Sequence, residues 1–239
     1  MSAAPDSPLG DPLDWGGARR PGREALRGRR VLVRQVDADA DAEPLYSVSH
    51  PPHGDPAVWT YLFDGPYENP QALRHHLLEA QDLPDPLFFT LARLPEEVPQ
   101  GVASYLRITP EHGTIEIGNI WFGTPLRRTP AASEAIYLLV RHAFNDLGYR
   151  RVEWKCNALN RASRRAAERF GFRFEGVFRQ HLVIKGRNRD TAWYALTDGE
   201  WPAVQEAFER WLDPANFDSG GQQRRRLGDL IAQARGRTS

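Results

Sequence analysis

In the run Thr114-Ile-Glu-Ile-Gly-Asn-Ile-Trp-Phe122, Ile115 and Ile117 point to one face of a strand and Glu116 to the other. A carboxylate amid apolar strand residues is unusual, because acidic side chains are rarely buried without a partner. Two readings stand. Glu116 is a base that takes a proton from a substrate, or it lies on a solvated face paired with an arginine. Farther on, Arg151 to Trp201 reads RVEWKCNALNRASRRAAERFGFRFEGVFRQHLVIKGRNRDTAWYALTDGEW. This is a strand, a helix opened by Asn160 and closed by Gly171, and two long strands around a Gly-Arg-Asn turn. Within it, Ser163 reads as a hydrogen bonder at the helix N-terminus. Cys156 is the only cysteine. It falls in an apolar strand pattern and reads as a small buried hydrophobe, with the nucleophile as the minor reading.

The elements that must position these groups follow from periodicity. Val31 to Val36 alternates as a first strand, and Asp37, Asp39 and Asp41 precede a helix whose N-terminus suits negative charge. Asp55 to Phe63 and Pro70 to Asp82 read as two further helices, the second capped by Asn69 with Pro70 in its first turn. Leu87 to Arg93 is a second strand. Gly101 to Ile108 and Thr114 to Phe122 make an antiparallel hairpin around Thr109-Pro-Glu-His-Gly113. In Thr129 to Leu147, Ala132, Ala135, Ile136, Leu139, Val140, Ala143, Phe144 and Leu147 form one helical stripe, stopped by Gly148. Val152 to Cys156 is the fifth strand, and Asn160 to Phe170 the next helix. Two long strands run to Leu196. Pro202 to Leu212 is an amphipathic helix.

Composition bounds the class. Hydrophobic residues make up 41% of 239 residues, enough for a sizeable core in one large domain. The formal net charge is zero, so no global field steers the chain to nucleic acid or membrane. Lys155 and Lys185 are the only lysines, which reads mainly as compositional bias toward Arg. A lone cysteine excludes an internal disulfide and favours the cytoplasm. The N-terminus lacks the pattern of a signal peptide, and no run approaches the ~18 apolar residues of a membrane span. Residues 1–29, rich in Pro, Gly and Arg, are expected to be an extended or poorly ordered extension. Residues 213–239, with Arg224, Arg225 and Arg226 in succession, are expected to be a solvated, mobile tail.

The order N-x-x-S, then G-F-x-x-E-G, R-x-R-D and a final E-W, resembles the acyl-CoA-dependent N-acetyltransferases of the GNAT superfamily, in particular the RimJ/RimL branch. The likeness runs from about Arg30 to Trp211. The resemblance implies an α+β fold: a mixed, mostly antiparallel sheet of six to seven strands flanked by helices and splayed between its fourth and fifth strands. It implies acetyl-CoA as co-substrate, a primary amine as acceptor (a protein N-terminus or a small amine), and direct attack in a ternary complex. No metal is expected, and a homodimer is compatible with it.

What the resemblance implies for residues is specific. The helix after the fourth strand would hold the CoA pyrophosphate on its N-terminal amides, so Arg127, Arg128, Thr129, Pro130, Ala131 and Ala132 become the cofactor run. A helix N-terminus suits phosphate because its N–H groups lack partners and its dipole end is positive. Pro130 stands where the family usually has Gly, although proline fits the first helical position after a Thr129 cap. Backbone groups of Ile120 and Phe122 would pair with the pantetheine amides, and Asn160 would face the same arm. Glu116 matches the strand on which the family often places its base. The tyrosine acid of many members is replaced by Ala167, which leaves Ser163 as a substitute. Trp121, Gln180 and His181, with Trp193 and Tyr194, would line the acceptor pocket.

Two other functions are weighed. A non-catalytic acyl-CoA-binding or regulatory protein on the same scaffold is allowed by Pro130 and the missing tyrosine. A nucleic-acid module using the Arg-rich tail is opposed by the neutral overall charge.

Overall fold

The structure is a computed structural model and describes residues 10–238. Eight strands form one sheet in the order β1-β2-β3-β4-β5-β6-β8-β7. They are β1 (Leu26–Arg27), β2 (Val31–Gln35), β3 (Leu87–Arg93), β4 (Val98–Thr109), β5 (Thr114–Phe122), β6 (Arg151–Asn157), β7 (Arg173–Ile184) and β8 (Arg187–Thr197). Six helices flank it: α1 (Ala38–Ser49), α2 (Pro70–Gln81), α3 (Pro130–Arg141), α4 (Arg161–Arg169), α5 (Trp201–Leu212) and α6 (Leu227–Thr238). All strand pairs are antiparallel except β5 with β6. The fold is therefore the mixed α+β sheet that the sequence implies, enlarged by the two-residue β1 to eight strands. The expected fourth and fifth strands are β5 and β6.

That pair carries the functional geometry. β5 and β6 are in register only at Thr114–Arg151, Ile115–Val152 and Glu116–Glu153. Beyond Glu116 the two strands part, so the rest of β5 has no strand partner on that side. A bulge adds to the opening. Val102 faces Trp121 and Ser104 faces Gly118, which leaves one extra residue on β5, and Asn119 takes a φ of 49°. Such bulges redirect a strand and its polar groups. Asn119 Nδ2 donates to Ser104 Oγ at 2.9 Å, and Ser104 Oγ donates to the Gly118 carbonyl at 3.2 Å.

Alternation along the strands sends side chains to two cores. Phe89, Tyr105, Ile115 and Ile117 join α3, α4, α5 and α6, whereas Val102 and Trp121 join Leu45, Trp59, Leu73 and Leu77 under α1 and α2. α3 runs to Arg141 and continues as a π-helical turn over His142–Asp146. Of the two helices expected between Asp55 and Asp82, α2 forms, but the first is only a 3₁₀ turn at Pro56–Trp59, capped by Asp55.

Both expected appendages are held against the rest of the fold, the N-terminal one without a regular element among the described residues before Leu26 and the C-terminal one, against expectation, as a helix. At the N-terminal side, Arg29 and Arg30 N–H groups donate to the buried Glu134 carboxylate at 3.0 and 2.7 Å. Ala18 and Arg19 bond to the Pro110 and Leu147 carbonyls. The part of that expectation on residues 1–9 lies outside the described residues. At the C-terminal side, Leu227, Leu230 and Ile231 are buried in the main core, where α6 packs on α5 and α4, and Ala234 is buried as well. Their i, i+3, i+4, i+7 spacing is a helical stripe, and burying it outweighs the polar composition around it.

Candidate active site

Where β5 and β6 diverge, a cavity of about 90 Å³ opens. Its walls include Glu116, Gly118, Asn119 and Ile120 from β5, Lys155, Cys156 and Asn157 from β6, and Asn160 and Ser163 from α4. Tyr61, Leu62 and Phe63 close one side, and His181, Arg189 and Thr191 from the β7–β8 ribbon close the other. Lys185, in the turn of that ribbon, donates to the carbonyls of Trp59 and Asp64 at 2.8 and 2.9 Å, which ties the two sides together.

Glu116 lines this cavity and is only 3% exposed. It is paired with an arginine, as the second reading expects, but it is buried rather than on a solvated face. Its Oε2 meets Lys155 Nζ at 2.9 Å and Arg107 Nη1 at 2.7 Å. Lys155 also reaches Glu153 Oε2 at 2.7 Å and lies 3.9 Å from the Trp193 ring centroid. Burial pushes the Glu116 carboxyl above the usual range, and the Lys155 and Arg107 charges offset only part of that. Burial acts the same way on Glu153, but hydrogen bonds from Lys155 and Arg151 hold it below the ordinary value. Two neighbouring carboxylates are thus driven apart, with the more basic one facing the cavity.

Gly118 makes the space. A Cβ there would come 2.8 Å from Leu106 Cδ2 and 3.2 Å from Glu116 Oε1. We predict that Gly118→Ala crowds the cavity over the carboxylate and raises the KM for the acceptor substrate about tenfold, short of the roughly hundredfold that a 1 Å misplacement costs. Steady-state kinetics check this, and an unchanged KM would mean that the acceptor does not pass over Gly118.

On α4, Asn160 caps the helix by accepting from the Ser163 N–H at 3.0 Å. Ser163 Oγ accepts from the Trp154 indole at 2.9 Å and bonds the Cys156 thiol. Burial holds that thiol above its ordinary pKa, the opposite of what a nucleophilic thiolate needs.

The expected cofactor run is only partly disposed as the sequence suggests. Thr129 caps α3, its Oγ accepting from the Ala132 N–H, and Pro130 takes the first helical position. The N–H of Ala131 then has no intrahelical acceptor. Arg128 is exposed, with a φ of 59°. Arg127, however, folds back: its Nε donates to the Phe122 carbonyl at 3.0 Å and its Nη1 pairs with Asp55 at 2.9 Å. The methyl groups of Ala131 and Ala132 are buried in the core.

The acceptor residues divide likewise. His181 faces the cavity and bonds Thr191 Oγ1 at 3.0 Å. Trp121 lines an adjoining crevice of about 30 Å³ with Trp59, Tyr67 and His76. Gln180 lines neither. A slip in the β7–β8 register between Phe178 and Leu182 turns Gln180 outward, with φ 50° and its N–H on Asp190. Trp193 and Tyr194 line neither cavity; Trp193 backs Lys155 and Tyr194 is buried. Sequence reasoning missed Arg107, Lys155, Gly118 and Arg189. Lys155 carried a signal, as one of two lysines in an Arg-rich chain set in an alternating strand.

A family model described as an acetyltransferase (GNAT) domain matches residues 30–173. The chain belongs to the GNAT acetyltransferase family. A GCN5-related N-acetyltransferase from Brucella melitensis is 42% identical, over 92% of this chain and 99% of its own, with a TM-score of 0.88. An uncharacterized N-acetyltransferase p20 from Bacillus licheniformis is 26% identical over 187 residues, 74% of this chain and 98% of its own. RimL, a ribosomal L7/L12 α-N-protein acetyltransferase solved with coenzyme A, shares the fold at a TM-score of 0.62 and 21% identity, over 73% of this chain and 99% of its own. As a GNAT acetyltransferase the chain takes acetyl-CoA as acetyl donor. Among the described residues no cluster of three or more metal-ligating side chains occurs, and no helix is long and apolar enough to cross a membrane.

Proposed function

We propose that this protein transfers an acetyl group from acetyl-CoA to a primary amine by direct attack in a ternary complex, with Glu116 as the base. The observation that carries the reading is the buried carboxylate of Glu116 at the mouth of the splay, made more basic by burial and held in place by Lys155 and Arg107. Such a group accepts the ammonium proton, so that a neutral amine is presented. Acetyl-CoA supplies the activated acetyl group. Ile120 and the N–H of Ala131 at the start of α3, with the Arg128 charge, hold the donor, while Asn160 keeps α4 capped against it. Ser163, whose Oγ accepts from the Trp154 indole, offers a hydroxyl to the departing thiolate. Trp121 and His181 contribute walls on the acceptor side. A protein N-terminus and a small amine are both acceptors of this chemistry.

Varying both substrates tests the order of events. A ternary complex gives intersecting double-reciprocal lines, and Cys156→Ala retains turnover. Parallel lines, with loss of activity in Cys156→Ala, would instead require an acetyl-enzyme on the thiol.

A further inference from the structure

The cavity holds three cationic side chains, and among the described residues one of them makes no ion pair. Arg107 pairs with Glu116, and Lys155 with both Glu116 and Glu153. Arg189 also lines the cavity and is only 7% exposed, yet among the described residues it makes no hydrogen bond or ion pair through its side chain, and its buried Nε lacks a partner. Its guanidinium lies over the Phe63 ring, 5.1 Å from the centroid. A ring face stabilises a cation but satisfies none of its N–H donors. Buried charges are normally paired, because taking one out of water is costly. An arginine left so is a site for an anion that arrives with a ligand.

We infer that Arg189 binds a carboxylate on the amine acceptor, so that the substrate is a primary amine bearing a carboxylate. This rests on the acetyl-transfer reading above. The planar fork of five donors matches a carboxylate in two parallel hydrogen bonds. The anion belongs to the acceptor rather than the donor, because the acyl end of acetyl-CoA is uncharged and its phosphates fall to the α3 terminus in that reading. The cavity is small and already contains the Glu116 carboxylate, which disfavours a doubly charged phosphate. A monoanion supplies the direct ion pair that Arg189 lacks. Phe63 and Arg189 then grip the carboxylate end of the acceptor while Glu116 faces its amine. The carboxylate can come from a free amino acid or from an acidic peptide near its N-terminus.

The test compares acceptors that differ only in that group: amino acids, the corresponding carboxamides and decarboxylated amines, and short peptides with Asp or Asn in the first positions. The wild-type enzyme is expected to show a KM at least tenfold lower for the acids than for the amides. Arg189→Gln is expected to bring that ratio close to one, and Arg189→Lys to restore part of it. Preference among free amino acids identifies a metabolite acceptor, and preference confined to the Asp peptides identifies a peptide; either supports the inference. Equal KM values for acids and amides in the wild-type protein would overturn it while leaving acetyl transfer standing. A uniform fall in kcat for every acceptor in Arg189→Gln, with the ratio intact, would also overturn it and place Arg189 on the thioester side. Absence of transfer to any acceptor would remove both readings.

Discussion

Glu116→Gln is expected to lower turnover at neutral pH about a hundredfold, within the range that a positioned base contributes. Gln has the shape of Glu and can still accept from Lys155 and Arg107, but it cannot take a proton. The loss should shrink at higher pH, where the amine loses its proton unaided. Stability should move the other way. Because the fold raises the Glu116 pKa, the contribution of its carboxyl group is fully present below the unfolded-state pKa and is lost as pH rises through the folded-state pKa. At acid pH the wild-type and Gln proteins should therefore melt together. At neutral pH the Gln variant should be no less stable. A variant that is less active yet no less stable would mark Glu116 as a residue kept for chemistry at the cost of fold stability. Undiminished turnover across the pH range would remove Glu116 from the mechanism. Rate–pH profiles and melting curves on the two proteins check both halves.

Deleting the chain from Asp218 onward is expected to lower the melting temperature by about 10 °C or more. The deletion strips Leu227, Leu230, Ile231 and Ala234 from the core. At roughly 1.5–3 kcal/mol for each large buried apolar side chain, the loss is several kcal/mol even after allowing for a compact unfolded state. For a domain of this size each kcal/mol shifts the midpoint by about 2–4 °C. The deletion also removes Arg235 Nη2 from the Gly171 carbonyl and Arg237 from Glu206. Gly171 closes the helix that carries Asn160 and Ser163, so acetyl-CoA affinity should fall with stability. Leu230→Ala alone should cost about 2–5 kcal/mol by opening a cavity. A truncated protein with unchanged melting temperature would show that α6 is not part of the folded core.

These two predictions differ in how legible they were. The sheet, α2, α3, α4 and α5 follow from periodicity and caps, because each records a local rule: Asn69 and Asn160 cap, Gly148 and Gly171 stop, and Ile115 and Ile117 alternate around Glu116. α6 obeyed the same rule with four apolar residues at helical spacing, but its Gly, Gln and Arg neighbours masked the stripe. The site was harder. Glu116 and Ser163 could be singled out, since an acid in an apolar strand and a hydroxyl at a helix start are visible locally. The partners were not, because they come from distant segments. Arg127 is drawn to Asp55, and Lys155 meets Glu116 only because β5 and β6 run in parallel register. Two extra residues of β7 lie between Phe178 and Leu182, and no alternation pattern announces the bulge that turns Gln180 away. Arg189 sat inside the R-x-R-D signature, but only burial without an ion pair reveals what it could bind.

The central claim is that the splay between β5 and β6 is a place where an amine takes an acetyl group, and one measurement bears on it most directly. The purified protein is mixed with acetyl-CoA and a panel of peptides, amino acids and amines, and both free thiol and the acetylated acceptor are followed. The account predicts thiol release that depends on the amine, matched mole for mole by the acetylated product, and strongly reduced in Glu116→Gln. Tight acetyl-CoA binding with no amine-dependent thiol release from any acceptor would contradict it and leave an acyl-CoA-binding protein in place of an enzyme.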